Sequence, residues 1–231
     1  KKMFKKKFSC LGVIPARGGS KRLPNKNFLE FRGKPLVEWT IKSACSSKIF
    51  EKIIFSSDDN DAEKISNKYP VHFSKRPNHL ASDKSSLVEV CLDLLMKEKK
   101  LGNFYDLLFC LYPTAPLRDD VDILNIYKKF ECTDASAVIG VSKFMFYPNQ
   151  AFTKNEDESI KYYWPDLAFK RSEKMPNFFA GNGSSYAIKT LDFEQYKSFI
   201  PPEKLFSYEM PIWKSIDIDN KEDYEMLNML Q

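Results

Sequence analysis

The chain has 231 residues, enough for one substantial α/β domain with a small insert. Its 43% hydrophobic and 14% aromatic content supports a packed core and excludes a disordered chain. The formal net charge is +5, and five lysines (Lys1, Lys2, Lys5, Lys6, Lys7) account for it, so the basic balance is a terminal tail rather than a stripe for nucleic acid.

No apolar segment approaches the ~20 residues that cross a bilayer, so a cytoplasmic protein without a membrane partner is expected. The cysteines (Cys10, Cys45, Cys91, Cys110, Cys132) form no CxxC pair and are read as buried free thiols in a reducing compartment. Phe8–Ile14 reads as a first buried strand; Pro15-Ala16-Arg17 breaks the run too early for a secretory signal. Pro35–Ser46 is expected as a helix with Pro in its first turn. Lys52–Ser57 is a second strand, and Asp59 is placed to cap a helix running toward Lys68. Val71–Phe73 is a short third strand. Ser85–Lys97 is a helix with Leu87, Val88, Cys91, Leu92 and Leu95 on one face. Asp106–Leu111 and Ala135–Val141 are further strands, separated by a helix near Val121–Phe130.

Between Ser142 and Ala180 the alternation lapses into aromatics and charges. Residues 142–180 are expected as an inserted small lobe, with 1–141 and 181–231 forming the main domain. The lobe's aromatics suit a subunit contact or a satellite core equally. Ser184–Ile188 and Trp213–Ile218 then return strands, and Lys221–Leu230 is a closing helix. This order implies an α/β fold: a mostly parallel central sheet flanked by helices, joined by right-handed crossovers. Ligands in such sheets sit beyond the carboxyl ends of the strands, so the loops after Ile14, Ser57, Phe73 and Leu111 should line one crevice.

Four stretches carry chemistry. In Ala16–Asn27, adjacent Gly18 and Gly19 let backbone N–H groups face an anion, and Arg17, Lys21, Arg22 and Lys26 supply cations for a triphosphate. A basic surface turn is the alternative. Neither GxGxxG nor GxxxxGK[ST] is present. In Lys214–Asp219, alternation sets Ile216 and Ile218 on one side and Asp217 and Asp219 on the other. Paired carboxylates suit a divalent cation such as Mg²⁺; alternatively Asp219 caps the following helix. Lys75–Ser86 offers Arg76 to a phosphate or base, with Asp83 or Ser85 acting there or only as an N-cap. Tyr112–Arg118 is a proline-stiffened turn after a buried strand. His72 and His79, the only histidines, are read as structural.

Taken in order, ARGGSKRLPNKN, RPNHLASD, YPTAPLR and SIDIDN resemble the acylneuraminate cytidylyltransferases, the CMP-sialic acid synthetase family. Asn182-Gly183-Ser184-Ser185-Tyr186 resembles that family's sugar-pocket segment, and the likeness covers nearly the whole chain. It implies a Rossmann-like nucleotidyltransferase fold with a small dimerisation lobe, hence a homodimer. It also implies transfer of CMP from CTP to an acidic nine-carbon (nonulosonic, sialic-type) sugar with Mg²⁺ or Mn²⁺. By motif, Lys26, Arg17 and Asp217 would be catalytic. Arg17, Gly18, Ser20, Lys21, Asn27, Arg76, Asp83 and Ser85 would hold the nucleotide. Tyr112, Lys170, Arg171 and Asn182 would face the sugar, and Asp217 and Asp219 the metal. The family often has Gln where Tyr112 stands, and Arg or Glu near Ala180. The sugar therefore stays open among sialic, pseudaminic, legionaminic and 3-deoxy-manno-octulosonic acids. A sugar-1-phosphate enzyme would carry GxGTRL, absent here. A non-catalytic nucleotide- or nucleic-acid-binding protein is the reading from another class, and it rests on the lysine tail.

Overall fold

The computed structural model describes residues 7–82, 85–169 and 175–230. The lysines at 1–6, together with Asp83, Lys170 and Arg171, lie outside the described residues.

Cys10–Pro15 (β1) is buried along its length. A loop follows, ending in a 3₁₀ turn at Lys26–Phe28. The ribbon Glu30–Phe31 (β2) and Lys34–Pro35 (β3) leads into Leu36–Ser47 (α1). Next come Lys52–Ser57 (β4), Ala62–Ser66 (α2), His72–Lys75 (β5) and Leu87–Lys100 (α3). Leu107–Leu111 (β6), Asp120–Cys132 (α4) and Ala137–Lys143 (β7) continue the alternation. A hairpin of Phe152–Lys154 (β8) and Ile160–Tyr162 (β9) precedes the short helix Pro165–Ala168 (α5). Phe179–Lys189 (β10), Thr190–Tyr196 (α6), Leu205–Glu209 (β11) and Lys221–Met229 (α7) complete the order.

Seven strands form the central sheet in the order β11-β7-β10-β6-β1-β4-β5. All its pairings are parallel except the two made by β10. The reason is local. The chain leaves β7 and enters β10 at the same end of the strands, so β10 runs back against β7. Alternation sorts the core residues onto two faces. Ile14, Leu107, Phe109 and Leu111 pack with α1 and α4, whereas Leu11, Val13, Leu108 and Cys110 pack with α3 and α6. Helices α3 and α4 start with capping boxes, Ser86 with Glu89 and Asp119 with Asp122. A third cluster, Phe31, Leu36, Ile218 and Leu227, fastens α7 beneath the first loop.

Several expectations change. Trp213–Ile218 is not a strand: Ile212–Lys214 is a 3₁₀ turn, and the extended residues beyond it pair with no strand. There Ile218 N–H donates to the Thr114 carbonyl at 2.9 Å. The last strand is instead β11, whose alternating exposure fits a sheet edge. Asp59 caps no helix; its Oδ1 accepts the Asp61 N–H at 2.8 Å. The caps of α3 and α7 are Ser86 and Asn220, neither Ser85 nor Asp219. All five cysteines are free, but Cys132 is exposed and Cys45 half-buried. Among the described residues no helix is long and apolar enough to cross a membrane.

Candidate active site

The carboxyl ends of β1, β5 and β6 open onto a cavity of about 260 Å³; the loop after β4, expected to join them, supplies none of its lining. Arg17, Lys26 and Asn27 line it from the first loop, Arg76 and Ser85 from the stretch before α3, and Tyr112, Pro113 and Thr114 from the turn after β6. Topology explains the meeting, because successive crossovers deliver every one of these loops to the same sheet edge.

Within the first loop, Asn25 takes a left-handed φ of 53°, a conformation Asn tolerates, and so redirects the chain into the 3₁₀ turn that carries Lys26. Buried Asn27 donates from Nδ2 to the Arg17 carbonyl at 2.9 Å, bracing the loop across its base. Gly18 N–H donates to Asp58 Oδ1 at 2.9 Å, and a Cβ at Gly18 would stand 3.2 Å from Asp59 Oδ2. Ser20 is half-buried and Lys21 exposed, and neither they nor Gly18 line the cavity.

Arg76 is buried in the cavity floor. Its Nε and Nη2 donate to Ser56 Oγ at 3.4 Å and to the Ser56 carbonyl at 3.0 Å. Burial lowers its pKa, while the charge of Asp58 works in the opposite direction. Its guanidinium is thus fixed by β4 before any ligand arrives.

The carboxylates stand at the rim. Ile216 and Ile218 turn into the apolar cluster under α7, which leaves Asp217 and Asp219 on the other side. Asp217 is pushed up to about 6 by burial, with the charge of Asp219 adding to the effect and the Thr114 hydroxyl and Lys26 opposing it. Its Oδ1 is buried and has no hydrogen-bond partner. Asp219 is partly buried too, yet Lys26 and Arg22 hold its pKa below the ordinary value. Lys26 Nζ lies 2.7 Å from Asp219 Oδ1, and Arg22 Nη2 lies 3.0 Å from Asp219 Oδ2. Among the described residues no group of three or more His, Cys, Asp or Glu is placed to hold a metal. The Asp217/Asp219 pair, with one orphaned buried oxygen, nevertheless fits a cation that takes only two carboxylates and completes its shell from phosphates and water.

Lys214 anchors the carboxylate segment to α4. Its Nζ contacts Asp119 and lies 2.7 Å from the buried Asp122. Motif reading gave no role to Lys214 or Asp58, and it offered Arg22 only as a cation for a triphosphate, not as a partner of Asp219. The signal for Asp58 was its place right after β4, in a loop already expected to line the crevice.

Of the residues expected to face the sugar, Tyr112 lines the cavity, and its ring lies 5.5 Å from that of Tyr186. Asn182 does not line the cavity. Its Nδ2 donates to Ser215 Oγ at 3.1 Å, and its Oδ1 accepts from the Ser184 hydroxyl at 2.7 Å, so its amide ties β10 to the segment before Asp217.

A family model described as cytidylyltransferase matches residues 11–229. The chain is 30% identical over 227 residues to a pseudaminic acid cytidylyltransferase of Campylobacter jejuni, covering 95% of both chains. It is 32% identical to a CMP-N,N'-diacetyllegionaminic acid synthase of Legionella pneumophila, again covering 95% of each. An N-acylneuraminate cytidylyltransferase of Escherichia coli is 30% identical, covering 96% of this chain and 52% of the relative. Among solved structures, a CMP:2-keto-3-deoxy-manno-octonic acid synthetase complexed with CTP superimposes with a TM-score of 0.69 at 16% identity, covering 96% and 98% of the two chains.

Proposed function

Since this chain belongs to the cytidylyltransferase family, we propose that it moves CMP from CTP to the anomeric hydroxyl of a nonulosonic acid, an acidic nine-carbon sugar of sialic-acid type. The observation that carries the reading is the cavity itself: Arg17, Lys26 and Arg76 line it, and the Asp217/Asp219 pair stands at its rim. In the reaction the sugar hydroxyl oxygen attacks the α-phosphorus, the bond to the β-phosphate breaks, and pyrophosphate leaves. The hydroxyl proton passes to a base at the rim.

This chemistry rests on positioning and charge neutralisation. Lys26 and Arg17 face the negative charge that builds on the phosphates. Gly18, Ser20, Lys21 and Asn27 shape the loop around them, and Arg76 with Ser85 meets the nucleoside end. Asp217 and Asp219 would hold Mg²⁺ or Mn²⁺, which when bound withdraws charge from the phosphates.

Tyr112 is the residue we assign to the acceptor. The full-length relatives named for pseudaminic and legionaminic acids make these sugars the leading alternatives to sialic acid. The enzyme works in the cytoplasm, a setting that the free cysteines support. It works as a homodimer joined through the 142–180 lobe, a reading supported by Phe146 and Phe169, which are 78% and 84% exposed there. The test is pyrophosphate release from CTP, with ATP, GTP and UTP as controls, across sialic, pseudaminic, legionaminic and 3-deoxy-manno-octulosonic acids. Release with CTP and one sugar is the expected outcome. Silence across the panel from folded protein would overturn the acceptor class.

A further inference from the structure

Two of the protein's own carboxylates occupy donors that a polyphosphate needs. Asp58 accepts the Gly18 N–H at 2.9 Å, and Asp219 accepts Lys26 at 2.7 Å and Arg22 at 3.0 Å. The two cations on Asp219 differ. Lys26 is 18% exposed and lines the cavity, whereas Arg22 is 68% exposed and reaches Asp219 from the outer part of the loop. A divalent ion that uses Asp219 must compete with both cations, and a polyphosphate that uses those cations must compete with Asp219. Each ligand therefore removes the other's competitor.

Resting on the reading of this cavity as a nucleoside triphosphate site, we propose that Arg22 is a positioning residue that moves from Asp219 to the nucleotide phosphates. Triphosphate binding thereby frees Asp219 for the divalent ion, and the ion frees Arg22 for the triphosphate. Arg22 suits the exchange because its pair with Asp219 is solvent-facing and thus weak, while a guanidinium grips phosphate in a two-point hydrogen bond. The coupling is reciprocal by linkage: whatever factor CTP applies to ion affinity through this contact, the ion applies to CTP affinity.

Arg22→Ala separates the two halves of the exchange. Mn²⁺ binding without nucleotide, followed by electron paramagnetic resonance, should tighten about two- to fivefold, the worth of an exposed ion pair. CTP binding in the presence of a chelator, followed by calorimetry, should weaken about tenfold for the lost charge-assisted contact. Arg22→Lys should restore much of both. In an Asp219→Asn background, Arg22→Ala should leave Mn²⁺ affinity unmoved. Opposite signs on the two ligands are the signature, because a disordered loop would weaken both. Unchanged or weaker Mn²⁺ binding in Arg22→Ala would overturn the exchange. Absence of CTP binding by the wild-type protein would instead overturn the triphosphate reading on which it rests.

Discussion

Gly183 and Asp217 compete for one small space. A Cβ on Gly183 would overlap Asp217 Oδ2 and stand 2.8 Å from its Cγ, and the glycine φ is +62°. Gly183→Ala therefore must push the carboxylate aside or strain β10 where its register shifts between Gly181 and Tyr186. The left-handed backbone adds roughly 1 kcal/mol against alanine. A displacement of about an ångström at a reacting centre costs on the order of 10²-fold in rate. Turnover measured by pyrophosphate release is expected to fall by that order, while the melting temperature falls by only a few degrees. Full turnover in a folded variant would show that Asp217 need not stand where it does.

The pH dependence follows from the burial of Asp217. Its pKa is about 6 in the fold and 3.8 ordinarily. Between these values the native state holds the proton and the unfolded chain does not, so stability decreases as pH rises through the window. Above it, the cost of the buried charge is fully present. Asp217→Asn removes that ionisation. At about pH 7.5 the variant should melt at or above the wild-type temperature and show no turnover. The difference in melting temperature should close as pH falls toward 4. A variant clearly less stable at neutral pH would mean that the carboxylate is held by a favourable partner.

Lys214 tests the support behind the acidic pair. Lys214→Met leaves Asp122, whose side chain is 3% exposed, without its closest cation. Breaking a buried pair of this kind costs ~3 kcal/mol, visible in urea denaturation. Because the same lysine fixes the chain three residues before Asp217, the Mg²⁺ concentration for half-maximal rate should also rise several-fold. A stability loss with unaltered Mg²⁺ dependence would confine Lys214 to folding.

Tyr112 can be separated from nucleotide binding. Burial pushes its phenol pKa up, so the ring stays a neutral donor at working pH. Tyr112→Gln exchanges a phenol tilted against the Tyr186 ring for an amide that both donates and accepts. The KM for the sugar should change while the KM for CTP holds within about twofold. Equal movement of both constants would place Tyr112 outside the acceptor site.

Phe146 and Phe169 address assembly. Replacing both with Asp should leave the melting temperature of the subunit nearly unchanged, because each ring is largely exposed. Mass by light scattering should fall from dimer to monomer. A monomeric wild-type protein would remove the dimer reading.

The buried strands were legible because both faces are apolar: Lys52–Ser57 and the core of β6 need only a run of hydrophobics between turns. The segment at 213–218 shows the limit of that method. Its alternation was read correctly, since Ile218 is buried and the two aspartates share the other side, but alternation reports facing and says nothing of pairing. The neighbour that sequence had no means of supplying was a single carbonyl, that of Thr114. Conversely, β11 is short and half exposed, so it carries no strong apolar signal and only the sheet reveals it. The site followed the same rule. Of the motif residues, Arg17, Lys26, Asn27, Arg76, Ser85 and Tyr112 line the cavity and Gly18, Ser20, Lys21 and Asn182 do not, whereas Asp58 and Lys214 act through partners 40 and 95 positions away, and no local pattern encodes such distances.

Lys26 and Asp219 meet across 193 residues. The centre is therefore a late product of translation: a ribosome carrying this chain only as far as β11 has already made every cavity-lining loop but neither carboxylate. Premature termination between the turn after β6 and residue 217 leaves every cavity-lining residue in the chain and removes both carboxylates.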